Sequence, residues 1–305
     1  MKTRRLLYIL ISILCIYSSY VHAGDTEKLK NCLNMIVKDK DADIGIAVII
    51  NGRDTVTVNN DMQYPLMSVF KLHQAVAVAN KLSDSNISLD TLIFVRKSEI
   101  KKNTYSPMRD RYTDSENFIS VRELLRYTLL LSDNNACDIL FNHVIDAEHT
   151  DSYLRTLGIG SFSISATEED MQKDTGLCYA NWSSPLSAVM LLERLLKDDI
   201  LKGEYKSFII DTMTECQTGN NRLPAFHHSG EVKIGHKTGT GGRNNKGETI
   251  AVNDIGFVLL PDGQYYTVAV FVKDSKEDIG CDEKIIADVS TIVYNHVANK
   301  QQGPK

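Results

Sequence analysis

The chain has 305 residues, 43% of them hydrophobic, and a formal net charge of −5. That length and content suit one large domain or two intimately packed lobes, and exclude a disordered chain. The acidic balance argues against nucleic acid or an anionic membrane as a partner.

The chain opens with Lys2, Arg4 and Arg5, an apolar stretch from Leu6 to Ile16, and Val21-His22-Ala23. This is the pattern of a secretory signal cleaved near Ala23. The apolar run is too short for a comfortable membrane span, and no second long run follows. An exported, periplasmic or secreted monomer beginning near Gly24 is expected, with no stable membrane association. Losing three basic and no acidic residues moves the net charge from −5 to −8. Five cysteines remain: Cys32, Cys137, Cys178, Cys216 and Cys281. An odd number implies a free thiol or an intermolecular bridge, and the wide spacing suits small buried side chains better than a disulfide framework. No Cys-x-x-Cys occurs and His227-His228 lacks the spacing of zinc ligands, so neither a metal nor a cofactor is expected.

Apolar spacing at Leu29, Leu33 and Ile36 predicts a helix over Asp25 to Val37. Ile44 to Ile50 and Thr55 to Val58 read as a hairpin turned at Asn51-Gly52. Ser68 follows Pro65 at the start of the apolar run Val69 to Leu82, where a helix would aim its positive end at the serine. Helices are predicted over Val121 to Leu131 with Ser120 as N-cap, over Asn135 to Val144, and over Pro185 to Leu196. Ser161 to Ser184 lacks a sustained period and reads as a long, functional loop. Glu231 to His236, Thr249 to Leu260 and Gln264 to Val272 read as strands, with a turn at Pro261-Asp262-Gly263, and Asp282 to Val297 as a closing helix. This order predicts an α+β fold: an antiparallel sheet from both chain ends (about 24–66 and 220–305) with an inserted helical lobe (about 67–219).

Three motifs follow in order: Ser68-Val69-Phe70-Lys71, Ser132-Asp133-Asn134 and Lys237-Thr238-Gly239. Singly each has a bland explanation: a surface lysine on a helix, a helix cap and a strand bulge. In this order, 64 and then 105 residues apart, they are poorly explained as three accidents. They supply a nucleophile with an amine one helical turn away, a hydroxyl with an amide, and a cation with a hydroxyl. Gly239 would let a ligand approach the backbone. In the long loop, Glu168 stands beside Glu169 and Asp170, a cluster that by itself reads as solvated acids.

With Glu168 in place, the chain resembles the class A serine β-lactamases over nearly the whole length after the signal. The resemblance implies hydrolysis of β-lactams, small molecules, through an acyl-enzyme on Ser68, with Lys71 or Glu168 as acylation base. Ser132 would pass a proton to the departing nitrogen beside Lys237, and the N–H groups of Ser68 and Thr240 would hold the oxyanion. Asn134 would bind the substrate's side-chain amide, and Lys237, Thr238 and Thr240 its carboxylate, with Gly239 in the same strand. Tyr105 would form an aromatic wall, Arg222 would add a cation near the carboxylate, and Glu168 with Gln172 would activate the deacylating water. A DD-peptidase would share the three motifs without needing Glu168, and an acylated sensor would usually be fused to membrane segments.

Three departures from the family pattern stand out. Gln172 replaces the asparagine that helps hold the water. Ala166 and Asn181 occupy the positions of an ion pair that ties the long loop in many members, so Asn181 and Trp182 are expected to hold it instead. The bridge that some members form near the nucleophile has no matching cysteines. These features, with Thr240, resemble a divergent subclass rich in cephalosporinases and extended-spectrum enzymes.

Overall fold

The computed structural model describes residues 24–112, 116–198, 200–226 and 231–299; the signal reading and His227-His228 lie outside them. Helix α1 (24–37) leads into a hairpin of β1 (Asp43–Ile50) and β2 (Asp54–Val58), turned through Asn51 and Gly52, both at positive φ. The short strand β3 (Tyr64–Pro65) and a 3-10 turn (Met67–Val69) precede α2 (Phe70–Asp84). Next come β4 (Leu92–Val95), α3 (Pro107–Arg111) and β5 (Asn117–Ser120), with β4 and β5 paired. Three helices follow: α4 (Val121–Leu130), α5 (Asn134–His143) and α6 (Ala147–Thr156). Strands β6 (Phe162–Ser163) and β7 (Trp182–Ser183) enclose α7 (Glu168–Lys173) and another 3-10 turn (Thr175–Tyr179). The chain ends with α8 (Pro185–Lys197), α9 (Gly203–Thr214), β8 (Lys233–Thr240), β9 (Thr249–Leu259), β10 (Tyr265–Ser275) and α10 (Ile279–Asn299).

The main sheet is antiparallel in the order β2-β1-β10-β9-β8, so strands from both chain ends lie side by side. Alternation along each strand sends side chains to opposite faces. Ile44, Ile46, Val48 and Ile50 of β1 join Tyr266, Val268, Val270 and Val272 of β10 beneath α1 and α10. Ala47, Ala269 and Phe271 face the other way, toward α8 and the remaining helices. Cover on both faces explains why these strands read as almost unbroken apolar runs. Ile286, Val289, Val293 and Val297 of α10 are fully or almost fully buried, each stabilising the fold by about 1.5–3 kcal/mol.

The structure corrects the reading of 161–184 as irregular. Its two ends pair through β6 and β7, and Thr167 caps α7 by accepting from the Asp170 N–H at 3.1 Å. The Asp170 carboxylate accepts from the Thr167 N–H at 3.0 Å in return, completing a capping box. A helix of six residues is too short to display a period. Strand β8 also runs on through Thr240, past the predicted end at His236. The five cysteines among the described residues are free; Cys137 and Cys178 are buried, Cys216 and Cys281 half-buried, and Cys32 exposed.

Asn253 on β9 fastens the sheet to the segment before Ser68. It is fully buried, and its Nδ2 donates to the carbonyls of Pro65 at 2.7 Å and Leu66 at 3.2 Å. Asn253→Ala leaves both carbonyls without that donor and should cost about 1–3 kcal/mol, read as a lower denaturant midpoint with unchanged slope.

Candidate active site

Ser68 lies in the 3-10 turn that runs straight into α2, so Lys71 falls one turn on and on the same side. Lys71 is fully buried. Its Nζ donates to Ser132 O at 2.7 Å, Asn134 Oδ1 at 2.6 Å and Ser68 Oγ at 3.1 Å, and pairs with Glu168 Oε1 at 2.9 Å. The Ser68 hydroxyl points its own hydrogen at Glu168 Oε1, 3.4 Å away. Four residues from three separate segments thus meet at one ammonium group.

Two backbone positions here are unusual. Met67 (φ 44°) and Ser132 (φ 59°) occupy the left-handed region without being glycine, at a cost of roughly 1–3 kcal/mol each. Asp133 acts as the bland reading of its motif has it. It caps α5 by accepting from Ala136 N–H at 2.9 Å, and also accepts from Met108 N–H at 2.6 Å and the Ser106 hydroxyl at 2.9 Å. Its neighbours Ser132 and Asn134 are thereby turned into the cleft.

Across the cleft runs β8, the edge strand of the sheet. Lys237 is fully buried and donates to Ser132 Oγ at 2.9 Å. Burial, with Lys71 as a second cation nearby, lowers its pKa to about 8. Gly241 N–H bonds back to Ala251 O on β9 at 2.8 Å, and strand alternation turns the Thr240 N–H to the open edge. The Ser68 N–H precedes the first bonded N–H of its turn, Val69 to Leu66 O, so both predicted oxyanion donors belong to ends and edges. Gly239 has a packing reason that the sequence did not show: a Cβ there would lie 2.4 Å from Leu66 O, so the segment before Ser68 makes a close approach that requires glycine.

Arg222 is buried, not a surface side chain. It donates to Gly239 O at 3.2 Å, Asn253 O at 3.0 Å and Thr240 Oγ1 at 2.7 Å, and Glu283 Oε1 holds it at 3.1 Å. Thr218 meets Thr238 through their hydroxyls at 2.6 Å. Beneath the strand, burial alone would lower the His236 pKa, but Asp254 at 2.9 Å outweighs it and holds the imidazole well above its ordinary value. The cleft encloses about 350 Å³ and is lined by Ser68, Ser132, Asn134, Glu168, Thr238 and Thr240, with Tyr105, Arg222 and Thr218 at its margins. Tyr105 is 56% exposed and stands at the mouth. Gln172 is not brought into the cleft: it is exposed, and its amide donates to the Asn103 carbonyl.

Sequence reasoning missed Thr104, Thr218, Asp138 and Glu283. Thr104 accepts from Asn134 Nδ2 at 2.8 Å. Asp138 receives the N–H groups of Glu168 and Glu169, both at 2.9 Å, and so sets the start of α7. Burial and the nearby Glu168 charge raise the Asp138 pKa to about 7. Its position on α5, four residues after Asn134, was the available signal.

A serine between a buried ammonium and a carboxylate, with a second lysine on a neighbouring hydroxyl, is the constellation of a serine acyl-transfer enzyme. The β-lactamase enzyme family matches residues 27–297. A β-lactamase of Phocaeicola vulgatus is 42% identical over 273 residues, 88% of this chain and 85% of the relative. The extended-spectrum β-lactamase PER-1 of Pseudomonas aeruginosa is 34% identical, over 93% of this chain and 92% of its own length. The crystal structure of a class A β-lactamase from Bacteroides cellulosilyticus has a TM-score of 0.85 and 41% identity, covering 90% of this chain and 98% of that one. The chain belongs to this family and is a class A serine β-lactamase, an enzyme that hydrolyses β-lactams and confers resistance to them.

The family ion pair of the long loop is replaced by Asn181. Its Oδ1 accepts from Ser165 N–H at 2.8 Å and Ala166 N–H at 2.9 Å, and its Nδ2 donates to Ala166 O at 2.8 Å. Trp182 is half-buried and pairs through its backbone with Pro65 and Ser163. Asn181→Ala removes three buried bonds at once. It should lower stability by about 1–3 kcal/mol and lower kcat, checked by thermal unfolding and steady-state kinetics.

Proposed function

We propose that hydrolysis runs through an acyl-enzyme on Ser68 and favours cephalosporins. The position of Ser68 Oγ, between the Lys71 ammonium and the Glu168 carboxylate, carries the reading. Lys71 Nζ at 3.1 Å and Glu168 Oε1 at 3.4 Å both stand within reach of Ser68 Oγ, and each is placed to take its proton. The Ser68 oxygen bonds to the lactam carbonyl carbon, and the N–H groups of Ser68 and Thr240 hold the oxyanion. As the carbon–nitrogen bond breaks, Ser132 gives its hydrogen to the nitrogen, oriented by Lys237, and the proton taken from Ser68 is passed on to replace it, which restores the base and leaves Glu168 a carboxylate. Glu168 then removes a proton from water as the water oxygen attacks the ester carbon, and that proton goes to the Ser68 oxygen as its bond to the acyl carbon breaks.

Substrate orientation follows from charge. Lys237, Thr238 and Thr240 make one end of the cleft cationic and donor-rich, suited to the substrate carboxylate, while the Arg222 charge behind them is balanced by Glu283. Arg222 donates to Thr240 Oγ1, which leaves the hydroxyl's own hydrogen free for the substrate. Asn134, at the other end, receives the side-chain amide. The similarity to an enzyme named extended-spectrum supports a cephalosporin preference. Export through a signal over residues 1–23 completes the reading.

Glu168→Ala should leave a long-lived adduct on Ser68, since losing a positioned general base costs ~10²–10⁴-fold in rate. Glu169→Ala should keep turning over, because that side chain pairs outward with Lys173 at 2.8 Å. Intact-protein mass spectrometry after mixing with a cephalosporin reads both; a turning-over Glu168→Ala beside a trapped Glu169→Ala would sink the assignment. Steady-state efficiency should be higher for cephalosporins than for carbapenems. Thr240→Ala should narrow that gap, and an equal loss for both classes would remove the role given to its hydroxyl.

A further inference from the structure

Behind the carboxylate end of the cleft lies a second cluster of reactive groups, which hydrolysis does not use. Cys216 follows α9, half-buried between exposed Glu215 and Gln217. Its sulfur shares a hydrogen bond with His236, whose Nδ1 bonds the Asp254 carboxylate at 2.9 Å. His236 and Asp254 are buried, so the three form a cysteine–histidine–aspartate row with the thiol at its outer end. A nucleophile beside a base that a third group orients is the arrangement that activates a sulfur. Burial opposes ionisation of this thiol, but the His236 hydrogen bond and charge, with Lys237 and Thr218, outweigh it and lower its pKa to about 7. Three other thiols move the opposite way: burial raises Cys137 and Cys178, and a hydrogen bond to the Asp278 carboxylate raises Cys281. Cys216 also reaches the cleft wall. Its sulfur lies 3.4 Å from Thr218 Oγ1, which meets Thr238 Oγ1 at 2.6 Å, and both threonines line the cleft.

We propose that Cys216 is a covalent modification site for small disulfides, at which a mixed disulfide weakens the hold of the cleft on the substrate carboxylate. The Cys216 thiolate attacks one sulfur of a disulfide RS–SR. The old S–S bond breaks as the new one forms, and the departing thiolate takes up the proton that Cys216 gave up. Oxidation of Cys216 is matched by reduction of the departing sulfur. The kinetic effect rests on the orientation given above, in which Lys237 and Thr238 meet the substrate carboxylate. Burial favours the neutral form of Lys237, and the Cys216 charge opposes it. The neutral adduct removes that charge and breaks the bonds of the sulfur to His236 and Thr218. Lys237 then yields its proton more readily, and Thr238 loses the support behind it. A bound substrate carboxylate replaces the missing charge, so the loss falls on binding rather than on turnover.

The test treats the protein with bis(hydroxyethyl) disulfide. Intact mass and peptide mapping should place the first adduct on Cys216, ahead of exposed Cys32 and of Cys281. The labelled protein should show a kcat/KM for a cephalosporin lower by about 10-fold, the scale of one hydrogen bond to a charged group, with kcat nearly unchanged. A reducing agent should restore it. His236→Asn should slow labelling at neutral pH by about 5-fold, because the loss of thiolate is only partly offset by a more nucleophilic sulfur. Cys216→Ser should reproduce the raised KM without any disulfide. Cys216→Asp, which keeps a negative charge and cannot be labelled, should hold KM near the unlabelled value with the disulfide present. Labelling of Cys32 or Cys281 while Cys216 stays free would overturn the proposal, as would an adduct on Cys216 that leaves KM unaltered. Unlabelled protein that neither turns over nor is acylated by the cephalosporin would overturn the reading of the cleft and the kinetic effect with it; the mapped adduct separates that failure from a failure of the site.

Discussion

The structure depends on one buried ammonium. Lys71 has no exposed surface, so its charge must be met entirely by protein groups. Ser68, Ser132, Asn134 and Glu168 meet it, from the turn before α2, the α4–α5 connection, the start of α5 and the start of α7. Satisfying that charge and bringing these four groups together are the same event. The left-handed backbone at Ser132 is part of this arrangement, since it turns the carbonyl to Lys71 while the hydroxyl meets Lys237.

The other wall depends on how closely the sheet approaches the nucleophile. Gly239 leaves room for the Leu66 carbonyl, and Asn253 hydrogen-bonds that carbonyl from the next strand. The edge position of β8 matters equally. An interior strand would have both sides of its backbone paired, whereas β8 keeps one side open for a ligand. Arg222 reinforces this wall from behind, with Glu283 balancing its charge and Thr240 receiving one of its hydrogens.

The loop bearing Glu168 shows how one fold replaces an ion pair with neutral chemistry. Asn181 presents both an acceptor and a donor to the backbone at 165–166, and Asp138 takes two N–H groups at the start of α7. Hydrogen bonds of this kind do not depend on keeping two opposite charges desolvated.

Much of the protein was legible in its sequence. β1, β9, β10 and α10 were visible because they are long and periodic or continuously apolar, and both chain ends had to share a sheet. Ser68, Lys71, Ser132, Glu168 and Lys237, singled out by three motifs and a family resemblance, are brought together in one cleft. Less visible were α6, a mostly polar helix burying only Thr150 and Leu154, and α9, which has no side-chain cap. The direction of a side chain and the partner across a cleft were not legible at all. The family resemblance gave Gln172 a water-holding position, yet its amide bonds a loop carbonyl 69 residues away. That Gly239 also makes room for the Leu66 carbonyl, and that Asp138 takes the N–H groups of α7, emerge only once these segments are side by side. Local order is set by periods and caps within a few residues of sequence. Which groups meet depends on distances between segments, and these exist only after the chain has packed around its buried charge.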